Sequence, residues 1–175
     1  LKKLAEKDLI NYVKYQGVSL TENGKLAAKM IVRKHRLWEV FLVEKLDFSW
    51  DEVHDIAEQL EHIKSEKLIN KLDDFLGNPT KDPHGDPIPD ANGNIVIIEK
   101  MLLSELTQNQ VGICVGVKDS STEFLKYLDK NEIALGSKIE ILLKEDFDLS
   151  LKIKVAQQEI TISNKIASNL FVKMV

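Results

Sequence analysis

All four prolines of the chain fall within one segment, residues 78–94, which also carries several glycine, asparagine and aspartate residues. Proline has no backbone N–H and restricts the residue before it, so such a segment favours a loop or linker over a helix or central strand. Apolar residues recur at helical spacing before this segment, whereas short runs of Ile, Val and Leu follow it. We therefore expect an α+β chain in which a proline-rich linker joins a helical part to a strand-rich part.

The sequence before the linker predicts three helices. The first is expected over residues 21–46, where apolar residues recur near helical spacing after a threonine cap. The second is expected to begin at Ser49, because Ser49 and Glu52 have the spacing of a capping box. The third is expected to begin at a Ser65 cap and to end at the glycine just before the linker.

The sequence of residues 1–20 predicts the end of a helix followed by a β-hairpin, with strands over 10–16 and 18–20 and a tight turn at Gln16 and Gly17. A helix end followed by a hairpin resembles the wing of a DNA-binding domain. The chain opens inside a helix-like phrase at Leu1 rather than at a methionine. We therefore expect it to be N-terminally truncated.

The part after the linker predicts short β-strands interrupted by one helix, the layout of a small antiparallel barrel. The helix is expected over residues 121–130. The strands are expected over residues 111–117, 139–143, 151–155, 159–162 and 170–175.

Composition excludes several classes of protein. No run of apolar residues approaches the length of a membrane span and the N-terminus has no signal-peptide pattern, so we expect a cytoplasmic protein with no membrane partner. The single cysteine, Cys114, cannot form an internal disulfide and has the setting of a buried strand residue. The chain also lacks a glycine-rich phosphate loop and a nucleophile constellation, so we do not expect an enzyme.

Charge is unevenly distributed along the chain. Residues 1–36 carry nine Lys and Arg against three Asp and Glu, a net charge of +6, and the remaining residues carry −10. This asymmetry favours an N-terminal end that faces a polyanion and a body that binds cations. Chance unevenness is the alternative.

Histidines and carboxylates cluster on two successive predicted helices. On a helix, His54, Glu58, Glu61 and His62 fall within roughly a quarter of a turn. His35 has a carboxylate four residues later, at Glu39, on the preceding helix. If these helices pack antiparallel, their ligand-bearing edges meet, which predicts a metal site. A solvated helix face is the alternative interpretation.

Four stretches of the sequence are distinctive together: RKHRLWE at 33–39, VHD at 53–55, EH at 61–62 and DPHGDPIP at 82–89. In these stretches the sequence resembles the diphtheria toxin repressor family of metal-dependent transcriptional regulators. The resemblance extends over almost the entire chain. It implies the remnant of a winged helix-turn-helix at 1–22, a helical metal-binding and dimerisation domain at 23–77, a linker at 78–98 and an SH3-like or FeoA-like domain at 99–175.

The resemblance implies two metal sites. Glu58, Glu61 and His62 match the regulatory site, which a ligand from a helix absent here completes in the family. The iron-responsive branch has a cysteine in place of Glu58, so the resemblance favours the manganese-responsive branch. An oxygen-rich set with one imidazole also suits Mn²⁺. Fe²⁺ stays open, and Zn²⁺, Co²⁺, Ni²⁺ or Cd²⁺ are expected to substitute.

His35, Glu39 and His54 match the family's second site. In the family, a ligand from the C-terminal domain joins this site, and the best candidate is Asp119. The alternative for Asp119 is a turn carboxylate. His84 is a further candidate, since some relatives place Cys-Pro-His-Gly where this chain has Asp82 to Gly85.

The function implied by the resemblance is that of a homodimeric, Mn²⁺- or Fe²⁺-dependent transcriptional repressor on double-stranded palindromic operator DNA. Lys2, Lys3, Lys7 and Lys14 are the candidate contacts to DNA phosphate. Two other functions remain open: a metal-dependent hydrolase with Glu58 or Glu61 as general base, and a metal-binding interaction module that does not contact DNA.

Overall fold

The computed structural model describes residues 1–13 and 17–175. Its N-terminal segment is a short helix followed by a hairpin. Helix α1 spans Lys2–Glu6, and strands β1 (Ile10–Val13) and β2 (Gly17–Leu20) pair antiparallel with Ile10 opposite Leu20. The predicted helix end and the pairing of the two hairpin strands are therefore confirmed, although β2 already includes Gly17. The part of the prediction that concerns residues 14–16 lies outside the described residues. The predicted phosphate contact Lys14 lies outside the described residues.

Three helices follow: α2 over Glu22–Leu46, α3 over Val53–Leu60 and α4 over Glu66–Phe75. The predicted caps of α2 and α4 are confirmed, because Thr21 Oγ1 accepts from Gly24 N at 2.9 Å and Ser65 Oγ accepts from Leu68 N at 3.3 Å.

The predicted start of the second helix at Ser49 is wrong by four residues. Glu52 accepts from Ser49 N at 3.3 Å, which is half of a capping box, but this contact closes a turn and α3 begins only at Val53. The helix also ends at Leu60, so Glu61 and His62 lie beyond its last turn.

The helical core forms where α2, α3 and α4 bury their apolar faces against one another. The linker closes this core with Ile88. Its buried members include Leu37, Val40, Leu42, Val53, Ala57 and Ile69. At about 25 cal/mol per Å² of buried apolar surface, side chains of this kind supply most of the force that holds the three helices together.

The C-terminal part is a six-stranded antiparallel sheet in the order β3-β8-β4-β5-β6-β7. Helix α5 spans Thr122–Lys130, and a 3₁₀ turn spans Leu103–Glu105. A short helix, α6, precedes the last strand at Asn164–Ala167. The strands are β3 (Met101–Leu102), β4 (Val111–Val117), β5 (Lys138–Lys144), β6 (Leu151–Val155), β7 (Gln158–Ile162) and β8 (Leu170–Met174).

The predicted strands are confirmed, but the predicted closure into a barrel is not seen. Among the described strands, β3 and β7 are the edges and do not pair with each other. β3 contributes only two residue pairs to β8, so it presents few backbone groups with which to close the sheet. Across the described residues, none of the helices combines the length and apolar character needed to cross a membrane.

Candidate metal centre

The centre of the site is a cluster formed by α2 and α3. His35 and Glu39 lie one turn apart on the same face of α2, as their spacing requires. His35 Nε2 lies 3.1 Å from Glu39 Oε1 and 3.2 Å from His54 Nδ1 on α3. Their three ligand atoms lie within 4.8 Å of one another, close enough to contact one cation. The predicted meeting of two ligand edges is therefore seen for this set.

The linker brings a second imidazole to the other side of Glu39. His84 Nδ1 lies 3.7 Å from Glu39 Oε2. Glu39, Asp82 and His84 are all buried, and their ligand atoms also fall within 4.8 Å of one another. Glu39 therefore belongs to both groups and presents a different oxygen to each.

The linker loop that carries His84 is held by its own hydrogen bonds. Asp82 Oδ1 accepts from the backbone N–H groups of His84 and Asp86, each at 2.9 Å. Gly85 has a φ of +86°, and a Cβ there would lie 2.2 Å from Val115 O, so only glycine fits against β4. His84 is consequently placed beside Glu39 by the chain itself.

Arg36 supplies the counter-charge for this loop. Its Nε lies 3.2 Å from Asp82 Oδ2, a terminal nitrogen lies 3.1 Å from Asp86 Oδ2, and it also donates to the Pro87 carbonyl. Both oxygens of Asp82 are thus engaged by protein donors. A cation would have to displace Arg36 to use Asp82, so we assign Asp82 to holding the loop rather than to ligation.

The charges in the cluster are balanced by hydrogen bonds. Burial alone would raise the pKa of Glu39, but the hydrogen bond from His35 and the nearby imidazole of His84 lower it to about 2. The hydrogen bond to Glu39 raises the pKa of His35. Burial opposes a charge on His84, but the Glu39 carboxylate, 3.7 Å from Nδ1, leaves its pKa raised. Glu39 is therefore anionic, and the imidazole protons occupy positions that a cation would take.

The three predicted ligands of the regulatory site are not brought together as one group. Glu61 Oε2 lies 2.8 Å from His35 Nδ1, and Glu58 lines the same cavity of about 380 Å³. His62 is exposed and lies past the end of α3. Within the described part of the chain, the donor groups tight enough for one ion are the two that share Glu39. The regulatory site of Glu58, Glu61 and His62 stays a prediction.

Asp119 lies in the turn after β4. Its Oδ1 accepts from Ser121 N at 2.9 Å, which is the geometry of a turn carboxylate. Its neighbours Lys118 and Ser120 line the cavity that His35, Glu39 and His54 also line. A ligand role for Asp119 therefore stays a prediction.

Sequence reasoning missed two residues that touch the site, Arg36 and Trp50. Trp50 accepts a hydrogen bond from His84 through its backbone carbonyl, at 2.8 Å. Arg36 follows a candidate ligand directly in the chain, and only the fold reveals that it points to the linker. Lys2, Lys3 and Lys7 are exposed at the N-terminal end, as a phosphate contact requires.

The fold and this donor cluster define a class of protein: a metal-binding helical domain joined to a small β-domain. Residues 21–90 match the family model described as iron dependent repressor, metal binding and dimerisation domain. Residues 101–174 match the FeoA domain.

The chain is similar to curated proteins over part of its length. It is 43% identical over 86 residues to a probable metal transport system membrane protein of Chlamydia trachomatis, covering 49% of this chain and 19% of that protein. It is 44% identical over 72 residues to the iron-dependent repressor IdeR of Mycobacterium tuberculosis, covering 41% of this chain and 31% of that one. The matches thus span about a fifth to a third of these curated relatives.

Solved structures match over nearly the whole chain. A manganese-dependent transcriptional repressor in complex with manganese superposes with a TM-score of 0.88 and 34% identity, covering 99% of this chain and 81% of that one. The chain belongs to the diphtheria toxin repressor family of metal-dependent transcriptional regulators. This is a family of regulators rather than enzymes, so the hydrolase alternative is set aside.

Proposed function

We propose that the chain is the metal-sensing part of a divalent-metal-dependent transcriptional repressor that acts as a homodimer on palindromic DNA in the cytoplasm. The observation that carries this proposal is the pair of donor groups around Glu39. Family membership supports the regulatory role. The proposal assigns residues 1–22 to DNA contact, 23–77 to metal binding and dimerisation, 78–98 to the linker and 99–175 to the FeoA-like domain.

The donor atoms support Mn²⁺ or Fe²⁺ as the regulatory metal. The group around Glu39 offers imidazole nitrogens and carboxylate oxygens, a set that suits harder first-row ions. Cys114, the one cysteine, is buried in the core of the C-terminal part, so it does not add a thiolate. The names of the similar proteins, one manganese-dependent and one iron-dependent, support the same two metals. Zn²⁺, Co²⁺, Ni²⁺ and Cd²⁺ also fit this donor set.

We assign His35, Glu39 and His54 to the principal site, with His84 on the second oxygen of Glu39. A bound cation would supply positive charge at Glu39 in place of the imidazole protons. Helices α2 and α3 hold the first three ligands, and the linker loop holds His84 against β4. Metal ligation would therefore connect the helical domain at a single position to the linker loop that packs against β4 of the C-terminal domain. Asp119, Glu58, Glu61 and His62 are proposed as additional ligands.

An exposed apolar surface supports the homodimer. Phe75 at the end of α4 is 65% exposed, and its ring centroid lies 6.4 Å from that of Phe41 on α2. Leu46 and Leu68 are also exposed, at 52% and 42%. Apolar surface of this kind is expected to be covered by the same surface of a second copy. We also propose the hairpin and Lys2, Lys3, Lys7 and Lys14 as the contacts to DNA phosphate.

The direct test is whether metal stabilises the native chain through Glu39. A ligand that binds only the native state raises the melting temperature. We expect Mn²⁺ to raise the melting temperature of the wild-type chain but not that of a His35→Ala, Glu39→Gln double variant. Glu44→Gln on the same helix is the matched control and should respond like wild type. An equal response of the double variant would reject this site.

A further inference from the structure

Trp50 lies in the turn between α2 and α3 and contacts both halves of the molecule. Its indole Nε1 donates to both carboxylate oxygens of Asp129 on α5, at 3.0 and 3.1 Å. Its ring packs against the C-terminal core and stacks on the ring of His84, with 6.2 Å between centroids and 13° between planes. The same residue therefore touches the β-domain and the imidazole beside Glu39.

The backbone carbonyl of Trp50 fixes which nitrogen of His84 faces the cluster. It lies 2.8 Å from Nε2, and a carbonyl oxygen can only accept, so Nε2 must carry a proton. Nδ1 is left toward Glu39 Oε2, at 3.7 Å. Metal-binding histidines usually donate their other ring N–H to an acceptor of this kind, which fixes the tautomer and the ring orientation.

Other contacts also join the α2–α3 turn and the linker loop to the β-domain. Thr122 Oγ1 donates to the Asp51 carbonyl at 3.2 Å, and Lys126 lies 3.5 Å from the Asp51 carboxylate. On the other side of His84, its own carbonyl accepts from Val117 N at 2.9 Å. His84 is therefore held between the α2–α3 turn and strand β4, and α5 contacts that turn through Trp50.

We propose that Trp50 is a positioning residue that couples docking of the β-domain to metal binding by Nδ1 of His84. The hydrogen bond from its indole to Asp129 sets the position of the turn, and the turn carbonyl sets the orientation of the imidazole. A change in the position of α5 would therefore alter the orientation of His84, although α5 carries none of the proposed ligands. This inference rests on the proposed function, because it requires a cation at Glu39 and His84.

The second tryptophan provides a matched background for the test. Trp38 is buried in the helical core, and its Nε1 has no hydrogen-bond partner within the described part of the chain. Since the sequence has two tryptophans, Trp38→Phe leaves Trp50 as the single fluorescent indole. That variant should bind metal like the wild type.

The test is the Cd²⁺ affinity of the full chain in the Trp38→Phe background, measured by calorimetry for Trp50→Phe, Asp129→Ala and the double variant. Loss of an outer hydrogen bond to a metal site typically lowers affinity by about 10- to 100-fold. We expect each single variant to lose at least about 10-fold in Cd²⁺ affinity. The double variant should lose little more, because all three variants remove the same hydrogen bond between Trp50 and Asp129. Asp129→Asn keeps an acceptor and should recover most of the affinity, and Lys130→Ala should leave it unchanged.

Two results separate this inference from the proposed function. If Trp50→Phe and Asp129→Ala melt at lower temperature yet bind Cd²⁺ as tightly as the background, Trp50 is only structural and the inference is overturned. If the wild-type chain itself binds no Cd²⁺, the proposed metal centre and this inference both fail. Long-range ¹H–¹⁵N spectra of the Cd²⁺-bound chain should show His84 Nε2 protonated and Nδ1 as the ligand, and the reverse assignment would overturn the inference.

Discussion

Glu61 Oε2 accepts a hydrogen bond from His35 Nδ1 at 2.8 Å, so a residue predicted for the regulatory site orients a residue predicted for the second site. The other nitrogen of His35 faces Glu39 and His54. A carboxylate behind a ligating imidazole fixes its orientation and raises its basicity. The two predicted sites therefore share a contact before any additional ligand joins.

Glu61→Gln should weaken metal binding at the cluster around Glu39. The amide is a poorer acceptor than the carboxylate, so His35 loses part of its orientation, and we expect about a 10-fold loss of Mn²⁺ affinity by calorimetry. Glu66→Gln, at the exposed start of α4, is the control and should bind normally. An unchanged affinity in Glu61→Gln would mean that His35 is held by Glu39 and His54 alone.

Arg36→Met should destabilise the linker loop. Arg36 is mostly buried and is the cation beside Asp82, whose side chain is 3% exposed. Burial raises the pKa of Asp82 to about 6 even beside Arg36, so removing Arg36 leaves a buried carboxyl group without its neighbouring cation. We expect the free energy of unfolding to fall by about 2 kcal/mol in urea. Lys71→Ala, which removes an exposed partner 3.7 Å from Asp74, should change it by less than about 0.5 kcal/mol.

Gly85→Ala tests whether the loop must approach β4. Gly85 needs a positive φ of +86°, and an added Cβ would lie 2.2 Å from Val115 O. Gly77→Ala is the matched control, because Gly77 has a φ of +79° but nothing within 4 Å of the added atom. We expect Gly77→Ala to lower the free energy of unfolding by about 1 kcal/mol and Gly85→Ala by about 3 kcal/mol. Equal losses would mean that the loop can move away from the strand.

Cys114 should react slowly with alkylating reagents. Burial raises the pKa of its thiol to about 11 from 9.0. Because the thiolate is the nucleophile, alkylation by iodoacetamide at pH 8 should be about 100-fold slower than for an ordinary cysteine from the pKa alone. A rate like that of free cysteine would show that Cys114 is accessible.

The same shift gives a stability effect at high pH. The native state keeps Cys114 protonated, so its contribution is fully present below pH 9 and is lost as the pH rises towards about 11. The wild-type chain should therefore lose more free energy of unfolding between pH 8 and pH 10 than Cys114→Ala does, as measured in urea.

Local patterns predicted most elements of the fold. The limits of strands β4 and β6, Val111–Val117 and Leu151–Val155, agree with the runs of Ile, Val and Leu in the sequence. Helix α2 begins one residue after its threonine cap. These features depend on neighbouring residues, so the sequence carries them directly.

Features that depend on long-range packing were not predicted. Ser49 and Glu52 have the capping-box spacing, but that pair closes a turn, and the carbonyl of Trp50 within the turn meets His84, which is 34 residues away in the chain. The shorter α3 also separates His62 from the cluster. Closure of the sheet depends on whether β3 and β7 meet, and their own sequences do not encode that contact.

Glu39 presents Oε1 to His35 and His54 and Oε2 to His84, so the two donor groups are joined by one carboxylate. A cation bound to one oxygen would change the charge and orientation that the ligands of the other oxygen meet. Ligation by His35 and His54 and ligation by His84 would then be thermodynamically linked, and the linkage would act equally in both directions. The response of the chain to metal would thus depend on one side chain shared by the helices and the linker.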